Sequence, residues 1–463
     1  MFNLPKKHKT LSLILGDIFI LYLSLFITLF VRYPHQFTSR LLGEHILPFS
    51  IVYIAWLLVL YFNSLYDTDI YKKPFAFLKS FFQATLINLS LAIGFFYLSA
   101  SLNPGVIGPK RNLFFVVVFF AILFYLWRHV FFIFIRSSVS RTKIAFIGFN
   151  QEVLEIIKKI DQNPHLGYKT EFIITAKGKN SLLKKIPANI KTYQGFSRLN
   201  YVLKDTSLTK IIIAMRPENN PVLAKELYHS SSNFKFVYFP NFYEEIASKI
   251  PLEMINRLWL HQGGSKKSYE IFKWILDTLL AIICALTLAL MFPFIIIAYF
   301  LTDGFPVFFI QTRVGKNKEK FKIIKLRTMI KEAEREKPLW AEENDVRVTK
   351  LGRFLRKTYI DEFPQFLNIL KGEMSVVGPR PERPEFTVTL EKEIPFYPLR
   401  HSVKPGVTGW AQVNSFYARS IDDSIEKTKF DLFYVKNRSF LFDLSILMKT
   451  GKMVFSKREK QNY

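Results

Sequence analysis

Apolar residues are gathered into blocks along this chain rather than spread evenly. Leu11–Val31, Ile46–Phe62, Phe81–Leu98 and Leu113–Phe134 are nearly uninterrupted apolar runs. Each has about the 20 residues a helix needs to cross roughly 30 Å of hydrocarbon, which predicts a domain of four transmembrane helices over residues 1–137. The first run does not read as a cleaved signal peptide. It exceeds the usual apolar core, and Arg32, Tyr33 and Pro34 follow it without a small-residue cleavage site. After the fourth run the pattern changes. Lys143–Ile147, Glu171–Thr175, Thr209–Met215 and Phe234–Phe239 read as buried strands, and Glu152–Ile160 as a helix. Strands alternating with helices predict a parallel α/β sheet over residues 138–255.

That alternation suits a Rossmann-like domain, but its first turn reads Gly148-Phe149-Asn150-Gln151 and lacks the G-x-G-x-x-G phosphate cradle. A scaffolding or regulatory domain is therefore preferred to a dinucleotide-binding one. A fifth apolar stretch, Ile271–Leu301, is interrupted by Asp277 and Pro293. Lys266, Lys267 and Lys273 lie at its start, and seven Lys and Arg residues follow between 313 and 327. Positive charge on both flanks disfavours a simple crossing. A re-entrant helix-hairpin over residues 266–302, kinked at Pro293, satisfies both flanks. The alternative is an ordinary fifth span.

Charge sharpens the membrane assignment. The 463 residues, enough for about three domains, carry 64 Lys and Arg against 37 Asp and Glu, a formal net charge of +27, with 50 % apolar residues and 48 Phe. A chain both apolar and basic points to anionic partners at a membrane rather than to disorder. A single cysteine, Cys284, excludes an intramolecular disulfide framework and a Cys-based zinc site. Lys6, Lys7 and Lys9 ahead of the first span, Lys72 and Lys73 after the second, and Arg136, Arg141 and Lys143 after the fourth orient both ends of the bundle to the cytoplasm. Asp17, Arg128 and His129 fall within or beside apolar runs, where charge suggests function, although Arg128 and His129 are expected near an interface.

Residues 303–463 form the expected catalytic domain, and chemistry-bearing motifs crowd it. In Phe321–Met329, Lys325 and Arg327 share one face of an extended segment, which suits either a phosphate or a lipid-facing basic strand. Arg356-Lys357-Thr358-Tyr359-Ile360-Asp361-Glu362-Phe363-Pro364-Gln365 follows. There Asp361 is expected to open a helix as its N-cap, where the helix dipole keeps a carboxylate ionised. Such a pair is either a capping motif or, beside cations and a metal, a nucleophile for phosphorus. In Gly378-Pro379-Arg380-Pro381-Glu382-Arg383-Pro384 the prolines display Arg380 and Arg383, whose forks suit phosphate oxygens. Lys404–Asn414 holds glycines for tight turns, and Trp410 is either an anchor at the membrane interface or, the preferred reading, a packed residue beside a plain turn.

From about Lys273 to Lys436 these motifs, in this order, resemble the bacterial sugar transferase family of monotopic phosphoglycosyl transferases. The layout with four spans and a Rossmann-like middle domain resembles its large members, which begin exopolysaccharide or O-antigen synthesis. The resemblance implies transfer of a sugar-1-phosphate from a UDP-sugar to undecaprenyl phosphate, releasing UMP. It implies Asp361 as nucleophile on the β-phosphorus, a covalent phosphosugar intermediate and ping-pong kinetics. It further implies Glu362 as the residue associated with Mg²⁺, and Lys325, Arg356 and Arg380 near the phosphates. It puts the enzyme on the cytoplasmic face of the bacterial inner membrane, among membrane lipids, and is compatible with a homodimer. Nucleic acid is not an expected partner, because no nucleic-acid motif accompanies the charge. The chain departs from the family at Lys273-Trp274, Phe292-Pro293, Leu326 and Lys318, none of which removes a proposed catalytic group. A transport subunit, a sugar-only transferase releasing UDP and a silent scaffold are the competing readings.

Overall fold

A computed structural model of the chain describes residues 6–35, 37–63, 65–66, 74–102, 110–137, 141–176, 178, 181–196, 208–215, 220–229, 235–255, 267–331, 345–414 and 420–455. The chain divides into two compact units. One holds Met1–Lys143 with Ile160–Lys169, and the other holds Ile144–Lys159 with Thr170–Tyr463.

The first unit is built on four long helices: α1 (Lys6–Arg32), α2 (Ser39–Phe62), α3 (Pro74–Leu102) and α4 (Lys110–Ser137). All four are long and apolar enough to cross a membrane. The helix α1 packs on α2 and α4, and α3 packs on α2 and α4, so each helix has two neighbours. Trp56, Phe49, Phe120 and Phe124 fill the interior, while Phe19, Leu47, Ile54, Phe82 and Tyr97 face outward. Apolar residues thus cover both the inside and the outside, as lipid requires. Lys72 and Lys73, used above for orientation, lie outside the described residues.

Arg128 departs from its expected place near an interface. Its Nη2 donates to Asp17 Oδ2 at 2.6 Å, with both side chains fully buried. The guanidinium also lies over the rings of Phe124 (4.6 Å) and Tyr66 (5.1 Å). Two charges that are each expensive in an apolar interior satisfy one another. His129, by contrast, is exposed and stacks on Tyr125. Asp17→Leu leaves Arg128 without its carboxylate, and we expect a loss of about 3–5 kcal/mol of stability. The double variant Asp17→Leu/Arg128→Leu should lose less. Thermal unfolding of the detergent-solubilised protein orders the three proteins.

In the second unit, β1 (Thr142–Ile147), β2 (Tyr168–Thr175), β3 (Lys191–Gln194), β4 (Lys210–Ile213) and β5 (Lys235–Tyr238) form one sheet in the order β3-β2-β1-β4-β5. The β1–β4, β2–β3 and β4–β5 pairs are parallel, with Ala145 opposite Ile211 and Ile211 opposite Phe236. Helices α5 (Gln151–Gln162), α6 (Pro221–His229) and α7 (Phe239–Ala247) alternate with the strands. This is the strand order of a doubly wound sheet, as expected. The edge strand β3 has no counterpart in the sequence reading, since Lys191, Thr192 and Gln194 are exposed and show no apolar pattern. Gly148 takes φ = 94° after β1, and a Cβ there would meet the Ala214 carbonyl oxygen at 2.7 Å. Asn150 caps α5 by accepting from Val153 N at 2.9 Å, and its amide donates to Glu253 at 3.1 Å.

The remainder is threaded on α8 (Lys267–Leu301), a single helix of 35 residues that continues through Pro293. Pro293, where the kink is expected, lies exposed within the helix. The stripe of Tyr269, Lys273, Asp277, Ala281, Leu288, Ile295 and Tyr299 lies on the folded domain, while Trp274, Leu286, Leu290 and Phe294 face away. Near one end, Asp277 Oδ1 accepts from Val376 N at 3.0 Å, and Lys273 donates to Val377 O at 3.0 Å and Asp443 at 2.8 Å. Near the other, the Tyr299 hydroxyl donates to the Arg327 carbonyl.

That domain contains the antiparallel pair β6 (Phe308–Val314) and β7 (Lys320–Leu326), and the parallel pair β8 (Ser375–Val377) and β9 (Gly406–Thr408). Around them lie α9 (Lys350–Thr358), α10 (Gln365–Leu370), α11 (Pro384–Glu393), α12 (Ile421–Asn437) and α13 (Phe440–Phe455). Trp410 is a core residue, as the preferred reading of a packed tryptophan expects, and not a membrane anchor. It is only 8 % exposed, packs on Phe433 and Phe442, and donates to Ser248 O at 2.9 Å. Lys249 bridges Glu155 (3.0 Å) and Glu426 (2.5 Å), while Ile250 and Leu252 share a cluster with Leu390, Tyr397 and Leu432. The α/β sheet region and the C-terminal domain are therefore knit by a common apolar cluster and by ion pairs.

Candidate active site

The two carboxylates sit in a turn, not at a helix start. Thr349 caps α9 by accepting from Gly352 N at 2.8 Å, and the helix ends where Tyr359 enters the left-handed region at φ = 58°. Residues Ile360–Glu362 then make one 3-10 turn before Pro364 and α10. Asp361 is thus not an N-cap, and Pro364 occupies the position just ahead of α10. The left-handed Tyr359 reverses the chain so sharply that the turn forms directly on the end of α9. Dipole stabilisation of Asp361 drops out of the account.

Charges from distant segments take its place. Lys325 Nζ, at the end of β7, donates to Glu362 Oε1 at 3.1 Å, and Arg380 Nη2 donates to the same oxygen at 2.6 Å. Burial opposes the charge on Glu362, but Arg380 and Lys325 outweigh it and hold this carboxyl well below the usual carboxylate range. Asp361, 8 % exposed, behaves oppositely. Burial, and then the Glu362 charge beside it, push it up to about 6 against the pull of Lys325, Arg356 and Arg380. Asp361 therefore holds its proton more tightly than an ordinary carboxyl, through burial and the Glu362 charge rather than through a helix end. Of the pair, Glu362 carries the fixed charge and Asp361 titrates. Burial pulls the Lys325 ammonium down, with Glu362 acting against it.

The other arginines divide. Arg356 Nε donates to Thr328 Oγ1 at 2.8 Å, and its charge acts on Asp361. Arg327 does not share a phosphate-facing surface with Lys325. It lies one residue beyond the end of β7, is 7 % exposed, and donates to the carbonyls of Asp303 (2.8 Å) and Gly304 just past α8. Arg383 caps the start of α11, 3.7 Å from Glu385 and over the ring of Phe386. Asp277 and Pro293 belong to α8, where Asp277 anchors the helix to β8.

Two motifs distant in sequence hold Arg380 in place. Gly378 N donates to Thr408 O at 2.9 Å, and Gly406 N to Pro379 O at 3.0 Å. A Cβ on Gly409 would lie 2.1 Å from the Gly378 carbonyl oxygen. Backbone meets backbone there, so Gly409→Ala must displace the Arg380 loop. We expect a cost of about 1–3 kcal/mol or more, read as a lowered thermal midpoint. Arg400, which the sequence reading passed over, lies behind this loop. Its guanidinium donates to Asp431 Oδ2 (2.8 and 3.0 Å), to the Tyr397 hydroxyl (3.0 Å) and to the Arg380 carbonyl (2.8 Å). A single arginine after the apolar, proline-containing run Ile394–Leu399 carries no motif that would have singled it out.

Among the described residues no group of three or more His, Cys, Asp or Glu could hold a metal. A divalent cation bound through substrate phosphates needs fewer protein ligands, often one or two carboxylates. Glu362 fits that requirement: it is ionised, and both of its cationic partners engage Oε1.

The family profile described as bacterial sugar transferase matches residues 268–457. A UDP-glucose:undecaprenyl-phosphate glucose-1-phosphate transferase of Klebsiella pneumoniae is 30 % identical over 327 residues, covering 68 % of each chain. The enzyme of the same name from Escherichia coli K12 is 42 % identical over 179 residues, 38 % of each chain. A UDP-N-acetylgalactosamine-undecaprenyl-phosphate N-acetylgalactosaminephosphotransferase of Aeromonas hydrophila is 46 % identical over 151 residues, 33 % of this chain and 36 % of the relative. The aligned stretch therefore spans about a third of the Aeromonas and E. coli relatives and two thirds of the Klebsiella one. With buried paired carboxylates among cations and these relatives across the C-terminal domain, the chain belongs to the bacterial sugar transferase family.

Proposed function

We propose that this protein transfers a sugar-1-phosphate from a UDP-sugar to undecaprenyl phosphate, giving undecaprenyl-diphosphate-sugar and UMP. The observation that carries the reading is the setting of Asp361 and Glu362, two buried carboxylates within the influence of Lys325 and Arg380. Asp361 attacks the β-phosphorus of the donor. A carboxylate oxygen–phosphorus bond forms, and the bond to the bridging oxygen of UMP breaks. A phosphate oxygen of the lipid then attacks the same phosphorus and returns the Asp361 carboxylate. Lys325, Arg356 and Arg380 supply positive charge where the phosphoryl oxygens gather it.

Glu362 would hold Mg²⁺ against the donor diphosphate. When bound, the ion neutralises charge on the phosphate oxygens and on the leaving UMP. The attacking carboxylate must be deprotonated, so transfer should fall as pH drops through about 6 and level off above it. Initial rates between pH 4.5 and 8, at saturating donor, read this limb.

The helix α8 is read as re-entrant, entering the cytoplasmic leaflet and returning. Support comes from its two ends, both tied to one folded domain through Lys273 and Asp277 and through Tyr299. A helix crossing the bilayer would carry its ends to opposite sides. The catalytic domain then rests on the cytoplasmic face of the inner membrane, where lipid phosphate and soluble donor meet. The test is nucleotide release by the purified protein with Mg²⁺, undecaprenyl phosphate and a panel of UDP-sugars. UMP release supports the reading, and UDP release moves the protein to sugar-only transfer. The relatives act on different sugars, so the panel includes glucose and N-acetylgalactosamine donors.

A further inference from the structure

The outer face of the β6–β7 ribbon changes chemistry as it runs away from α8. In an antiparallel ribbon, directly paired residues share a face, and so do residues two apart. The pairs Phe308–Leu326, Ile310–Ile324 and Thr312–Lys322 therefore follow one another along one face, with Lys320 beyond them. The first pair is seated on α8. Phe308 and Leu326 cluster with Leu288, Ile295 and Tyr299, and the Phe308 ring stacks on Phe292 at 5.6 Å. Ile310 is 57 % exposed, and Lys320 and Lys322 are exposed as well. Lys325, one residue past Ile324, takes the opposite face and reaches Glu362. The outer face is thus separate from the carboxylate pair.

A groove of about 490 Å³ lies along this face and is closed on its other side by Lys371 and Glu373, just past α10. That volume falls within the range of small-ligand sites. Three lysines line the groove against one glutamate. Among the described residues none of the three lysines is held in an ion pair, whereas Glu373 Oε2 accepts from Asn368 Nδ2 at 2.7 Å. The second wall repeats the gradient of the ribbon, since exposed Leu367 and Leu370 lead into Lys371. Apolar side chains next to a membrane-length helix, then lysines beyond them, is the order from hydrocarbon to headgroup in a lipid leaflet. A free anion would leave the isoleucines uncovered.

We propose that this groove holds an anionic phospholipid, its phosphate among Lys320, Lys322 and Lys371 and its acyl chains along Ile310 and Ile324 towards α8. The site fixes the ribbon that carries Lys325 at the depth of the lipid phosphates. The inference rests on α8 lying in the membrane and not on sugar-phosphate transfer, so its test needs no sugar donor.

The test uses purified full-length protein in detergent and a phosphatidylglycerol with a photoreactive group on one acyl chain, with labelled peptides mapped after proteolysis. Label should appear on the peptides holding Ile310 and Ile324. Unlabelled phosphatidylglycerol should suppress it at least about tenfold better than phosphatidylcholine of the same chains. Lys320→Gln/Lys322→Gln/Lys371→Gln should cut labelling of the ribbon at least about fivefold and leave that of α1–α4 unchanged. The same three charges removed from the exposed lysines of the sheet region, as Lys158→Gln/Lys191→Gln/Lys235→Gln, should leave ribbon labelling intact. Equal suppression by the two phospholipids overturns the proposal, and this arm needs no variant. So does labelling that survives in the first triple variant or falls equally in the second. Undecaprenyl phosphate suppressing the label better than phosphatidylglycerol would assign the groove to the acceptor lipid instead, and suppression by inorganic phosphate would make it a free-anion site.

Discussion

Asp361→Asn should abolish UMP release, with a loss of about three orders of magnitude or more, while leaving the protein folded. The amide is nearly isosteric but cannot form the carboxyl–phosphorus bond, so no covalent intermediate accumulates. The same change should raise stability at neutral pH. Asp361 is held above its ordinary value by burial and by the Glu362 charge. The folded state therefore binds its proton more tightly than the unfolded chain does, and stability falls as pH rises from about 4 to about 6. Asparagine has no charge to bury, and removing the cost should stabilise the variant by about 1–3 kcal/mol at pH 7. Lost activity together with a higher thermal midpoint is the expected pair of results. Lost activity with a lowered midpoint would instead assign Asp361 a structural role.

Glu362→Gln should lower kcat/KM by about 10²–10³-fold, because it removes the anion that gathers Lys325 and Arg380 and the carboxylate available to a divalent cation. Its diagnostic is the residual pH profile. The Glu362 charge is the largest influence after burial that raises Asp361. Without that charge, burial alone opposes the pull of Lys325, Arg356 and Arg380, and the acid limb should move below pH 6. The variant would then be relatively less impaired at pH 5 than at pH 7. An unmoved limb would mean that another group governs it. The apparent affinity for Mg²⁺, titrated in the same assay, should also weaken.

Much of this was legible in the residue order. A run of about twenty apolar residues has few solutions other than a membrane-length helix, so the four spans were recovered with small shifts at their ends. Four of the five strands were visible because each reads as a short apolar run, β1, β2 and β4 being largely buried. The strand β3 was not, because an exposed edge carries no such pattern. Lys325, Arg356, Asp361, Glu362 and Arg380 were all singled out, and they come together. Arg327 met partners that the sequence did not signal, and Trp410 took the packed alternative. Charge and aromatic character predict where a side chain would be comfortable, not whether a partner is waiting. Arg327 met two backbone carbonyls, and Trp410 met Ser248 and two phenylalanines.

Residue order was enough for the long apolar helices, most of the sheet and the adjacent carboxylates, since each depends on a local period or a contiguous motif. The state of that pair was a tertiary matter. Lys325 and Arg380 lie 37 and 18 residues from Glu362, and Arg128 lies 111 from Asp17. Which carboxylate keeps its charge follows from the sum of burial and distant cations, and that sum exists only once the chain has folded. The path of α8 is of the same kind. Its apolar length permits a crossing, and the attachments of Asp277 and Tyr299 to one domain are the observation on which the proposed re-entrant path rests.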